Sequence, residues 1–127
     1  MPKDLYPCPY IEDGYTAPFY LAGVERLYGP LRGVMRPMIA KERARLNAYI
    51  YGQDREAGDR KAEEAIAAHI VEWDLRDRTG CPVAVSPAAV ERLHPLLGER
   101  LFLVVSGSLP DDSNQEKQGS EENDVKN

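Results

Sequence analysis

Residues 59–75, "DRKAEEAIAAHIVEWDL", decide how this chain is read. Ala62, Ile66, Ile70 and Trp73 step by four, four and three, which places them on one stripe of an amphipathic helix. Glu63, Glu64 and Glu72 fall off that stripe, and Asp59 suits an N-cap with acidic residues in the first turn. The pattern predicts one helix running through Trp73. His69 lies beside the apolar stripe as a packed or half-exposed side chain.

Working outward toward the C-terminus, "DLRDRTGCPVAV" carries Leu75, Val83 and Val85 around Arg78, Thr79 and Gly80. A glycine there permits the positive φ of a tight reversal, so a small hairpin or irregular loop returns over the tryptophan. "SPAAVERL" then opens a helix, with Ser86 as cap and Pro87 in the first turn. Pro95 breaks that helix, predicting a short one over 87–94 and a second over about 95–106. Leu97, Leu101, Val104 and Val105 point inward from it, Gly107 ends it, and His94 reads as a boundary residue.

Working the other way, prolines at 18, 30 and 37 and glycines at 23, 29 and 33 exclude a comfortable helix. Short strands over 19–24 and 31–36 are expected instead, turning near Tyr28, Gly29 and Pro30. A helix starts at Pro37 or Met38 with Ile39, Leu46, Tyr49 and Ile50 on related turns. A break is expected around Gly52 and Gly58. The fold class is α+β, mainly α: three to four helices, a small N-terminal β element and a disordered C-terminal tail.

The 127 residues allow one domain. The expected organisation is an extended Pro-rich arm over 1–14, an α-rich domain over 15–107, and a disordered acidic tail over 108–127. Residues 109–127 hold six acids against Lys117 and Lys126, a net of −4 out of the chain's −5. The folded part is therefore almost neutral, and its overall charge points to neither DNA nor an anionic membrane. No apolar run approaches the roughly 20 residues of a membrane span. The N-terminus lacks the apolar core of a signal peptide, so the protein is expected to stay where it is made. Cys8 and Cys81 are then read as free thiols.

No chemistry stands out. His69 and His94 lack metal-ligand spacing, no C-x-x-C occurs, and no glycine-rich phosphate loop is present. Cys81 has no base nominated beside it. The expectation is a non-enzyme with no catalytic residues, no cofactor and no metal. Residues 26–61 carry nine Lys or Arg against four acids, a local net of +5. Such a segment suits nucleic-acid phosphates, an acidic protein surface, the chain's own acidic tail or plain solvation. Trp73 is either a core ring covered by the following turn or an interface anchor.

The order of helix, Trp73, Asp77, Gly80, Pro82, Val83, Ser86, Pro87, Leu93, Pro95 and Leu97 resembles the C-terminal half of tail assembly chaperones of tailed bacteriophages and their tail-cluster relatives. Upstream, Arg36 and Pro37 match a strand-ending Arg-Pro pair before an acid-basic helix. The resemblance covers residues 13–107, and the Pro-rich first third departs from the mostly helical pattern of that family. It implies a non-enzymatic protein of the bacterial host's cytoplasm that holds other phage tail proteins, the tape measure and tail tube, before assembly. Arg36, Arg43, Trp73 and Leu75 are the residues placed at protein contacts. Two alternatives are a virion structural or adaptor protein and a small nucleic-acid-binding regulator using residues 26–61.

Overall fold

The computed structural model describes residues 8–52 and 54–113. Its elements in chain order are β1 (Ala17–Leu21), β2 (Leu31–Met35), α1 (Ala40–Ile50), α2 (Arg55–His69), β3 (Ile70–Trp73), α3 (Pro87–Glu91) and α4 (Pro95–Val105). The three strands form one antiparallel sheet in the order β1-β2-β3. The β content is therefore larger than a small N-terminal element, because a strand from the middle of the chain joins the hairpin.

That third strand corrects the reading of residues 59–75. The helix stops at His69, and Ile70 is its C-cap, with an extended backbone and an N–H still donated to the Ala67 carbonyl. Ile70 pairs with Met35 and Trp73 with Gly33, while Val71 is the extra residue of a bulge. Ile70 stays buried as the helical stripe required, since the strand aims it into the same core. A β-branched pair and an aromatic within four residues suit a pleated surface better than a last helical turn.

The break between α1 and α2 comes earlier than Gly58. Asp54, rather than Asp59, caps α2, its carboxylate accepting the Ala57 N–H at 3.1 Å. Gly58 sits buried inside α2, where a Cβ would lie 2.5 Å from the Tyr49 carbonyl oxygen. The missing side chain lets the α2 backbone approach α1, so this glycine serves packing and not termination. At the start of α1, the Glu42 carboxylate accepts the Ile39 N–H at 3.1 Å.

The core gathers around α4. Leu101 and Val105 are fully buried, and Leu97 and Val104 nearly so. They pack in one cluster with Phe19, Leu21 and Leu31 from the hairpin, Leu46 from α1, Ile66 from α2 and Val90 from α3. Each such side chain contributes about 1.5–3 kcal/mol on burial. Ser86 caps α3 by accepting the Ala89 N–H, and Gly107 ends α4 with φ +80.

Of the expected arm, residues 8–14 carry no helix or strand, and residues 1–7 lie outside the described residues. Of the expected loose tail, residues 108–113 are described and are bound. Asp112 is buried, donates its N–H to the Tyr20 carbonyl and pairs with Arg100 at 2.6 Å. The carboxylates that made this stretch look solvated find backbone donors at Tyr20 on β1 and Ala22 just past it. The rest of the expected tail lies outside the described residues.

Candidate functional site

Past β3 the chain makes a turn that one carboxylate organises. Asp77 Oδ1 accepts the Thr79 N–H at 2.9 Å, the Thr79 hydroxyl at 2.6 Å and the Cys81 N–H at 3.0 Å. Gly80 reverses the chain with φ +89. The Thr79 hydroxyl, followed by the Cys81 N–H, holds the Asp77 carboxyl below its usual value. The returning segment is fixed through both backbone groups of Val83. Val83 donates its N–H to the Leu75 carbonyl, and Trp73 Nε1 donates to the Val83 carbonyl at 2.6 Å.

A second wall is the join between α3 and α4. His94 precedes Pro95, and its Nδ1 accepts the Leu96 N–H at 3.2 Å, so the expected boundary residue is the cap of α4. Its ring packs on Tyr28, with centroids 5.1 Å apart. Tyr28 belongs to the third wall, a tight turn in which Val24 and Tyr28 exchange backbone hydrogen bonds.

Between these walls lies a groove of about 570 Å³. Leu31, Leu93 and Leu97 are its buried floor, and Leu75 and Val83 are half-buried along one side. Arg76, Asp77 and Arg92 stand exposed at the rim. An apolar floor with a charged rim is the form of a surface that takes an apolar side of a ligand or partner.

The four residues assigned to protein contacts do not converge. Leu75 lines the groove. Trp73 is half-buried behind the turn, packed against the core with its N–H committed to Val83. Arg36 follows the other end of β2 and donates to the Ala68 carbonyl, and Arg43 is exposed on α1. The basic segment is likewise divided among the hairpin, α1 and α2. Arg32 lies over the Tyr20 ring at 4.4 Å, and Lys61 pairs with Glu64 at 3.8 Å.

His69 and Glu42 are engaged locally. His69 Nδ1 donates to the Ala65 carbonyl at 2.8 Å, and its Nε2 lies 3.0 Å from Glu42 Oε2. The Ile39 N–H, and after it His69 and Arg45, hold the Glu42 carboxyl below its ordinary value against the opposing effect of burial. Both cysteines are exposed and free, with Cys81 Sγ 3.4 Å from the Thr79 hydroxyl. Among the described residues, no three of His, Cys, Asp and Glu are grouped so as to hold a metal. No helix among them is long and apolar enough to cross a membrane.

Sequence reasoning missed Tyr28, Arg92 and His94 as neighbours of one groove, since three separate segments build it. The His-Pro pair did carry a local signal, because a side-chain acceptor just before a first-turn proline is a cap. No family model, curated protein or solved structure matches the chain.

Proposed function

We propose that this chain is a binding protein that makes and breaks no covalent bond. Its role is that of the tail assembly chaperones of tailed bacteriophages. The groove holds an apolar-faced helical segment of another tail protein, the tape measure first, before assembly in the bacterial cytoplasm. The observation that carries this reading is the leucine-floored groove between the Trp73 turn and the α3–α4 join. A helix laid into such a groove anchors through side chains one turn apart, and a charged rim orients it. The residues resembling the phage family between Trp73 and Leu97 are the ones that shape two of its three walls.

The test is co-expression with the tape-measure protein of the same genome, followed by capture through a tag on this chain. The wild-type chain is expected to recover the tape measure. A Leu75→Glu variant with an unchanged circular dichroism spectrum is expected to recover much less. Finished particles are expected to lack the chain. Equal recovery by the folded variant, or stoichiometric amounts of the chain in purified particles, contradicts the reading.

A further inference from the structure

Among the described residues, strand β1 has a neighbouring strand, β2, on one side only. Its outer edge starts at Pro18, which has no N–H to offer, and continues with Tyr20, whose N–H and carbonyl both point away from β2. The Tyr20 N–H goes to Asp111 Oδ2 at 2.9 Å, and its carbonyl takes the Asp112 N–H at 2.8 Å. The next donor, the Ala22 N–H, goes to Asp112 Oδ2 at 2.8 Å. Asp112 Oδ1 lies 2.6 Å from Arg100 Nη2.

This arrangement differs from an ordinary strand pair. Two side-chain carboxylates replace the backbone carbonyls that a neighbouring strand would present. The bound segment brings almost no apolar anchor, since Leu109 and Pro110 are exposed and Asp112 is the only buried residue of 107–113. It reaches the edge through Gly107, in the left-handed region. A short polar segment seated on a sheet edge by hydrogen bonds and one ion pair has the character of a ligand held in cis.

We propose that the outer edge of β1, together with Arg100, is a binding site for an extended acidic segment of a partner protein. Residues 109–113 occupy that site until the partner displaces them. The incoming strand needs a carboxylate at the position of Asp112. Without one, the Arg100 side chain, only 32% exposed, loses its charge partner. The tether gives residues 109–113 a local concentration on the order of millimolar, so a partner competes through a longer strand pairing or a second contact. The site adjoins the leucine-floored groove across Tyr28 and Leu97, but the groups that recognise the segment, Arg100 and the Tyr20 and Ala22 backbone, do not line that groove.

The experiment uses the full chain and the amide hydrogen exchange of Tyr20 and Ala22. The probes are the hexapeptide Ser-Leu-Pro-Asp-Asp-Ser and its analogue with both acids replaced by Asn. In a chain carrying Asp111→Ser and Asp112→Ser, both amides are expected to exchange about tenfold faster or more. The acidic peptide is expected to restore their protection, and the neutral analogue to bind about tenfold more weakly. The wild-type chain is expected to bind the acidic peptide about tenfold more weakly than the double variant, because its own segment competes. Restoration by neither peptide, or by both equally, overturns the proposal. Should the double variant fail to fold, the wild-type chain decides. Faster exchange at Tyr20 and Ala22 than at Phe19 and Leu21, accelerated by salt, supports a releasable segment. Equal rates at all four amides, unmoved by salt, overturn it.

Discussion

Trp73 Nε1 donates to the carbonyl of Val83 at 2.6 Å, across a turn that leaves the sheet and returns. The bond ties β3 to the strip of chain that forms one wall of the groove. The indole body packs against the core while its polar end holds the turn.

Two substitutions separate these roles. Trp73→Phe keeps most of the ring and removes the donor, so it is expected to cost about 1 kcal/mol. Trp73→Ala also removes the packing and is expected to cost about 3 kcal/mol. Urea denaturation measures both. Equal losses would show that the hydrogen bond, and not the ring, carries the effect.

Gly58→Ala tests the approach of α1 and α2. Alanine is the better helix former by roughly 1 kcal/mol, so propensity alone predicts a gain. The Cβ would meet the Tyr49 backbone, which cannot rotate away. A net loss on the order of 1 kcal/mol or more is expected from overpacking. A higher melting temperature would show the two helices to be further apart.

Glu42 and Glu63 give opposite pH dependences. The Glu42 carboxyl is lowered from its ordinary value of 4.5, so folding favours its charged form. Its stabilisation is complete above that value and disappears as pH falls through the lower, folded value. Glu42→Gln is therefore expected to lower the melting temperature at neutral pH and to match wild type in acid.

The Glu63 carboxyl is raised, first by burial and then by Glu91 and Asp59. Its charged form opposes folding above the raised value, and acid relieves the penalty. Glu63→Gln is expected to raise the melting temperature at neutral pH, with the gain shrinking as pH falls through the raised value. Melting curves of both variants between neutral pH and pH 3 check the signs. A gain for Glu42→Gln at neutral pH would refute the capping role of that carboxylate.

Local signals were readable and distant ones were not. The Ser86 cap, the helix ended by Gly107 and the hairpin around Tyr28, Gly29 and Pro30 each depend on a few neighbouring residues, and all were placed from sequence. Strand β3 was hidden because Ile70 and Trp73 fit helical spacing, and no glycine or proline occurs between Gly58 and Trp73 to mark the end of the helix. Gly58 looked like a stop because its reason lies in another helix. Asp111 and Asp112 looked solvated because their donors, Tyr20 and Ala22, lie about ninety positions away. Of the residues placed at protein contacts, Leu75 lines the groove because it leads into the legible turn, whereas Arg36, Arg43 and Trp73 lie elsewhere.

The proposed function seats a partner helix in the leucine-floored groove. Hydrogen–deuterium exchange of the full chain, alone and with a helical fragment of the proposed partner, the tape-measure protein, is the sharpest check of that seat. Lower exchange is expected in three places: around Tyr28 to Leu31, around Leu75 to Val83, and from Ala89 to Leu97. Protection confined to the basic surface of α1, or none at all with a fragment that co-purifies, would rule the groove out as the partner's seat.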